Sequence, residues 1–242
     1  ALSTEDGHGA NVAIGNNSLK VLNAGTEGFN TAVGYNSGEA VTTGIKNTII
    51  GGLAGDALTT GGENVVIGYN ALSTEDGHGR NVAVGNDTLA SLNAGAEGYN
   101  TAVGYGAGFV MTTGIQNTIV GGLAGDALTT GEGSTAVGYA ALSTETGGGK
   151  NTAIGARSQE DVNNPGNGNN TSVGFESMLN ATTAVGNTAI GSSSMAGVMT
   201  GDFNTAVGYL SATSITSGTL NTLVGGLAGD ALTTGSNNVA IG

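Results

Sequence analysis

Small, branched and polar residues recur along this chain in a regular long-range repeat. The string Asn-(Thr/Val)-x-(Val/Ile)-Gly occurs fourteen times, once with Ser for Asn, and recurs with a 17-residue or a 19-residue step. A fixed step of this size indicates a solenoid, in which each repeat forms one turn of a coil. The copies begin at Asn11, Asn30, Asn47, Asn64, Asn81, Asn100, Asn117, Ser134, Asn151, Asn170, Asn187, Asn204, Asn221 and Asn238. We therefore predict an all-β, parallel β-solenoid of about fourteen turns, forming a single elongated domain over residues 1–242.

The turn is numbered here from its Asn as position 1. Positions 2 to 4 are rich in β-branched residues, which favour a short strand. Along a strand, positions 2 and 4 point to one face and position 3 to the other. Position 4 is Val or Ile in every copy. We therefore expect position 4 to form the aliphatic core of the coil and position 3 to face outward.

Position 3 carries small or apolar residues throughout. It is Ala in nine copies, it is never charged, and Ser172 is its only polar residue. A strand that is apolar on both faces is normally buried on both. An identical coil is the simplest cover, so the pattern predicts a homo-oligomer packed through position 3. On this hypothesis, Ala102→Asp disperses the assembly.

The other positions predict turns and ladders. Gly at position 5 of every copy indicates a positive φ or a close backbone approach. Asn at position 1 can stack as an amide ladder. Positions 11 to 14, for example residues 57–60 and 41–43, predict a second, weaker strand. Residues 1–70 and 71–140 are near copies of each other, so the larger unit contains one 19-residue turn and three 17-residue turns.

Composition limits the partners. The chain has 242 residues, 47 of them Gly, no Cys and a net charge of −13. An acidic surface makes nucleic acid and anionic membranes poor partners, and the lack of Cys removes disulfides and thiolate sites. No apolar stretch approaches the length of roughly 20 residues that a membrane-spanning helix needs, so no membrane insertion is predicted. Both termini interrupt a repeat, and we expect a fragment of a longer repetitive protein.

One string resembles a known repeat. Residues 11–18, Asn-Val-Ala-Ile-Gly-Asn-Asn-Ser, resemble the head repeat of trimeric autotransporter adhesins of the YadA type. Arrays of Asn-Thr-Ala-(Val/Ile)-Gly-Tyr are also similar to repeats of phage tail fibres, and the 17-residue turn is closer to the phage repeats. The resemblance implies a left-handed parallel β-roll, a homotrimer, and display outside the cell on a virion tail fibre or a bacterial surface. It also implies contact with a cell-surface glycan or protein receptor.

An aromatic residue occupies position 6 in every second turn. Successive aromatics would lie about 9–10 Å apart, the distance between alternate strands, which suits the stacking of sugar rings. The alternative, which a repeating corner favours whatever the ligand, is that large and small residues alternate to fill space. The residues of this possible glycan-stacking ladder are Tyr35, Tyr69, Tyr105, Tyr139, Phe175 and Tyr209.

Acidic loops are the only candidates for metal chemistry. Glu-Asp-Gly-His occurs at residues 5–8 and 75–78, and the third copy, at residues 145–148, reads Glu-Thr-Gly-Gly. Asp and His alone supply few ligands, so surface loops are expected and no metal or cofactor is predicted. Asp56, Asp126 and Asp230 each end the string Gly-Gly-Leu-Ala-Gly-Asp, which is similar to a calcium-binding nonapeptide repeat. The glycine spacing and the 17-residue period of this chain do not fit that repeat.

The sequence therefore favours a structural protein over an enzyme. Two His residues in Gly-flanked loops and no Cys give no catalytic triad. The predicted function is a non-enzymatic, trimeric head or shaft that contacts a cell-surface receptor. The alternative is an ice-binding solenoid. For that function the position-2 threonines are expected to be buried, which leaves Thr-Thr pairs such as residues 59–60 as better candidates.

Overall fold

A computed structural model describes residues 1–4, 9–164 and 166–242. The chain divides into two compact units, residues 1–117 and 118–242. Within each unit every turn contributes one three-residue strand, and neighbouring strands run parallel. No helix occurs among the described residues. The prediction of an all-β, parallel β-solenoid is confirmed.

The fourteen described strands coincide with positions 2 to 4 of the repeat. Unit 1 contains β1 (Val12–Ile14), β2 (Thr31–Val33), β3 (Thr48–Ile50), β4 (Val65–Ile67), β5 (Val82–Val84) and β6 (Thr101–Val103). Unit 2 contains β7 (Thr118–Val120), β8 (Thr135–Val137), β9 (Thr152–Ile154), β10 (Thr171–Val173), β11 (Thr188–Ile190), β12 (Thr205–Val207), β13 (Thr222–Val224) and β14 (Val239–Ile241). Within each unit equivalent positions of successive turns lie opposite each other, so every column of the coil consists of one repeat position.

The predicted second strand is absent. Residues 41–43 and 57–60 lie in turns, bends and irregular backbone, and no strand is found at these positions in the described chain. Single bonds between turns replace a ladder there, as when the Thr42 N–H donates to the Thr59 carbonyl at 2.8 Å. Left-handed residues flank these segments, as at Gly55 (φ 51°) before residues 57–60 and Glu63 (φ 61°) after them, so the stretch available for pairing is short.

The two faces of the strand are reversed relative to the prediction. Position 3 is fully buried inside a single chain, as at Ala32, Ile49 and Ala102, whereas Ile50 and Val103 at position 4 are 38% and 37% exposed. Leu72 and Leu89 are fully buried as well, at position 9 of their turns. We attribute the reversal to large buried side chains outside the strand, such as these leucines and Met111 in the turn of Ala102, which fill the thin core and leave room for small residues at position 3. Ala102 is thus a core residue, and its predicted place on an outer interface is wrong.

Residue sizes at positions 3 and 9 compensate for each other in some turns. Where position 3 is Ala83, position 9 is Leu89; where position 3 is Ile49, position 9 is Gly55. A Cβ added to Gly55 would lie 3.6 Å from Ile49 and 2.8 Å from Leu58. The turns of Ile119 and Leu223 also have Gly at position 9, so there the large side chain at position 3 occupies core volume that Leu89 fills in its own turn. The turn of Val66, with Leu72 at position 9, does not follow this pairing.

The predicted asparagine ladder is confirmed. Asn47 is 1% exposed and Asn64 is fully buried. The backbone N–H and the side-chain amide of Asn64 both donate to Asn47 Oδ1, at 3.0 and 3.1 Å. The N–H of Asn81 then donates to Asn64 Oδ1 at 2.9 Å. Each side chain thereby supplies a buried backbone N–H with the partner it requires. Ser134 continues the ladder more weakly, because its hydroxyl accepts from the Asn151 N–H at 3.3 Å.

Candidate functional site

The outward face of the strands recurs in every turn of each unit. It consists of positions 2 and 4, which alternate with the buried position 3. No residue of the fourteen described strands is charged. Soluble proteins rarely expose large uncharged apolar patches unless the patch binds something. We call the residues at positions 2 and 4 of β1–β14 the outer strand face.

Position 2 behaves differently in the two units. In unit 1 it is Val in three strands and Thr in the other three. In unit 2 it is Thr in seven successive strands, which pair in register, and every one of these threonines is half-buried or exposed. These threonines are Thr118, Thr135, Thr152, Thr171, Thr188, Thr205 and Thr222. The expectation that they are buried with the core is therefore wrong.

The position-6 aromatics lie just beyond the strands and are open to solvent. Each is more than half exposed, from 52% for Phe175 to 63% for Tyr105. The same range includes Tyr35 and Tyr69 in unit 1 and Tyr139 and Tyr209 in unit 2. These side chains do not fill a buried corner of the single chain, so they are available to a ligand or to another subunit.

Small residues in the intervening turns make room for these rings. A Cβ added to Gly52 would lie 3.6 Å from a ring carbon of Tyr69, and one added to Gly122 would lie 3.8 Å from a ring carbon of Tyr139. The rings therefore lie against the position-6 glycine of the preceding turn. This contact accounts for the alternation of large and small residues at these two pairs; Asn16 and Asn86 precede Tyr35 and Tyr105 instead.

A second set of exposed aromatics, which the repeat pattern did not predict, lies at the other end of the strands. Phe29, Tyr99 and Phe203 directly precede the Asn of a repeat and are 54%, 51% and 60% exposed. The Arg80 guanidinium donates to the Tyr99 hydroxyl at 2.9 Å and lies 5.5 Å from the ring centroid. It also donates to Glu63 at 2.9 Å. The sequence could have indicated these aromatics, because the residue before the Asn lies at the opposite end of the strand from position 6 and is exposed in these turns.

The acidic loops are not simply surface loops. Glu75 and Glu145 occupy position 12, which holds core residues such as Leu58 and Leu92 in other turns, and both glutamates are fully buried. Burial raises the pKa of each carboxyl group, and hydrogen bonds from backbone N–H groups partly counteract it. The expected surface location is therefore wrong for these two residues. The first copy, residues 5–8, lies outside the described residues.

Each buried glutamate binds the following, longer turn. Glu75 Oε2 accepts from the Ala94 N–H at 3.2 Å, and Glu145 Oε2 accepts from the Asn164 N–H at 3.3 Å. Ala94 and Asn164 are equivalent residues of two 19-residue turns. The carboxylate therefore takes the place of a backbone carbonyl where the two turns differ in length.

The three aspartates of the Gly-Gly-Leu-Ala-Gly-Asp strings differ in their burial. Asp56 and Asp126 are half-buried, burial raises the pKa of each, and each has one buried carboxylate oxygen without a hydrogen-bond partner. Asp230 is exposed. Within the described residues, one group of three potential metal ligands has its ligand atoms within 4.8 Å of one another, namely Glu75, Asp76 and His78.

No family model, curated protein or solved structure matches this chain. None of the described residues belongs to a helix with the length and apolar character needed to cross a bilayer. Function must therefore be inferred from the outer strand face, the aromatics and the acidic loops themselves.

Proposed function

We propose that the chain is a non-enzymatic, self-assembling segment of an extracellular fibre, the head or shaft of a trimeric phage tail fibre or bacterial surface adhesin. The observation that carries this proposal is the outer strand face, which is uncharged in every described strand and partly exposed in a single chain. Burying such a face contributes roughly 25 cal/mol for each Å² of apolar surface removed from water.

A second copy of the chain is the partner that fits this face best. The exposed columns repeat once per strand, about every 4.8 Å, over six strands in unit 1 and eight in unit 2. A globular partner has no matching period, whereas another copy has the same period in each of its units. The acidic residues lie outside the strands, so close packing of strand faces brings no like charges directly together.

Trimeric assembly and the left-handed roll rest on the resemblance to adhesin and tail-fibre repeats. Three copies would carry each weak receptor site three times, and multivalent binding raises avidity without new contacts. The exposed position-6 aromatics are the candidate contacts with a glycan receptor. Aromatic side chains are also common in binding sites because they bury much area at low entropic cost.

Charging the outer strand face should separate the subunits without unfolding them. Ile50→Glu and Ile154→Glu each place a charge at a position that is 38% or 39% exposed in the single chain. We expect wild-type protein to sediment as a species of about 70 kDa, three times the 23.3 kDa chain, and the two variants to sediment at the monomer mass. Sedimentation velocity and circular dichroism on the same samples measure assembly and folding separately.

Thr43→Glu is the matched control, because it adds the same charge at an exposed residue outside the strands. It should leave the assembly intact. Wild-type protein that stays monomeric at all micromolar concentrations would refute self-assembly through this face.

Removing the position-6 rings should weaken receptor binding. Tyr69→Ala and Tyr139→Ala each remove a ring that is 54% or 58% exposed. If glycans stack there, loss of one ring costs about 1–2 kcal/mol, roughly a tenfold loss of affinity. A glycan array followed by calorimetry on any glycan found measures this, with Phe109→Ala as the control at an exposed aromatic of a different repeat position. Equal binding by all three variants would exclude the aromatic ladder.

Ice binding is the alternative function, and one observation favours it. The seven threonines of unit 2 form an outward, in-register row beside a row of Val and Ile. Regular exposed threonines on a flat sheet are what ice recognition requires. A thermal-hysteresis measurement distinguishes the two functions: we expect no hysteresis from wild-type protein, and a clear freezing-point gap would favour the alternative.

A further inference from the structure

The loop at residues 75–78 of unit 1 brings two carboxylates and an imidazole together. Glu75 is fully buried, and its Oε1 lies 3.4 Å from Nδ1 of His78. That nitrogen is itself buried, and its contact with Glu75 is at ion-pair distance without hydrogen-bond geometry. Asp76 completes the group, with ligand atoms of all three side chains within 4.8 Å of one another.

The equivalent loop of unit 2 shows what Glu75 lacks. Glu145 accepts from the Gly148 N–H at 2.8 Å, the Asn164 N–H at 3.3 Å and the side-chain amide of Asn151 at 3.4 Å. In unit 1 the amide equivalent to Asn151, that of Asn81, donates to the Gly79 carbonyl at 3.3 Å instead.

Glu75 therefore has two backbone donors, the N–H groups of His78 and Ala94, each at 3.2 Å. It also contacts the imidazole nitrogen of His78, at 3.4 Å. A buried carboxylate with so few donors is costly unless a positive charge is close.

We propose that Glu75, Asp76 and His78 bind a divalent transition-metal ion such as Zn²⁺. One imidazole nitrogen with two carboxylates is a donor set suited to Zn²⁺, Co²⁺ or Ni²⁺, whereas Ca²⁺ and Mg²⁺ prefer oxygen ligands alone. Three protein ligands leave the remaining coordination positions to water. The ion supplies the positive charge that the buried carboxylate lacks.

The backbone holds this loop to both neighbouring turns. The Thr59 N–H and hydroxyl donate to the Asp76 carbonyl, and the Thr60 hydroxyl donates to the Gly77 carbonyl at 3.3 Å. On the other side Ala94 donates to Glu75. Metal binding therefore links three consecutive turns and stabilises unit 1 by mass action.

Unit 2 supplies a natural negative control. Gly148 stands where unit 1 has His78, and a Cβ there would lie 2.6 Å from both the Asn164 carbonyl oxygen and Glu145 Oε1. This loop therefore has no room for an imidazole, and Thr146 replaces Asp76. The chain itself thus shows that Thr and Gly are compatible with the fold of this loop.

The test uses the double variant D76T/H78G, which gives unit 1 the loop residues of unit 2. Untagged wild-type and variant proteins are titrated with ZnCl₂ by calorimetry, and CoCl₂ is used to record the visible ligand-field bands. We expect the variant to bind one equivalent less Zn²⁺ per chain and to lose the Co²⁺ bands of that site. Because residues 5–8 have the same sequence, the difference between the proteins, not the total, measures this site.

Thermal unfolding provides the second readout. ZnCl₂ should raise the unfolding temperature of wild-type protein, and EDTA should reverse the rise, whereas D76T/H78G should show less of this response. Glu27→Thr, which removes one exposed carboxylate elsewhere, should behave as wild type. Equal Zn²⁺ stoichiometry in wild type and D76T/H78G, or uptake only at large excess, would overturn the proposal.

Discussion

An Ala102→Asp variant is expected to lose the fold around β6 rather than to release folded subunits. Ala102 is fully buried in the core of the coil, so the substitution places a carboxylate among aliphatic side chains. An uncompensated buried charge costs about 3–5 kcal/mol, a large part of the roughly 5–15 kcal/mol that stabilises a typical domain. Urea unfolding followed by circular dichroism measures the loss.

The neighbouring residue provides the control. Val103 is 37% exposed on the outer strand face, so Val103→Asp leaves its charge in water in the monomer. We expect the urea midpoint of Val103→Asp to equal that of wild-type protein dissociated into monomers. The urea midpoint of Ala102→Asp should lie well below both. Similar midpoints for the two variants would contradict the assignment of position 3 to the core.

Gly68→Ala is expected to be a strongly destabilising single-methyl change in unit 1. Gly68 has a φ of +141°, and a Cβ there would lie 2.5 Å from the carbonyl carbon of Gly85 and closer still to its oxygen. The backbone conformation costs about 1–3 kcal/mol for a residue with a side chain, and the overlap adds about 1–3 kcal/mol of packing strain. We expect a loss of about 2–6 kcal/mol in chemical unfolding.

Gly95→Ala is the control for a left-handed glycine that has no close neighbour. Gly95 also has a positive φ, +66°, but an added Cβ would meet nothing within 4 Å. This variant should lose only about 1–2 kcal/mol, the cost of a left-handed conformation. If the two variants are equally stable, the close approach of successive turns at Gly68 is not what requires glycine.

The repeat itself was sufficient to predict the turns, the strands and the asparagine ladder. The predicted glycine conformation is confirmed, since Gly68 combines a positive φ with a close neighbouring backbone. The asparagine ladder is confirmed by the bonds from Asn64 and Asn81. These features depend on the backbone, and a backbone requirement leaves the same residue at the same position in nearly every turn.

The direction of the strand faces could not be predicted in the same way. Both faces are uncharged, and a branched residue such as Val103 resembles a core residue more than Ala102 does. Which strand face is buried depends on residues outside the strand, at positions 9 and 12 of the turn, where Leu89 and Leu92 fill the core. The strand residues alone predict that position 4 is buried, because they do not show how much core volume those leucines occupy.

The buried glutamates were missed for a related reason. Glu75 and Glu145 lie in loops rich in Gly, Asp and Thr, which indicate a surface. Their position in the turn was the better signal, because position 12 is Leu58 and Leu92 in other turns. That each of them precedes a 19-residue turn is also visible in the sequence, but the hydrogen bond to the longer turn is not.

The in-register pairing of the strands makes the length of this protein change in discrete steps. Deleting or duplicating one whole turn leaves every column intact, because each position is replaced by its equivalent from the next turn. A one-residue deletion within a strand instead turns alanines outward and branched residues inward. Recombination between similar blocks, such as residues 1–70 and 71–140, is therefore a mutational route that this architecture tolerates well, while single-codon insertions and deletions in the strands should be selected against.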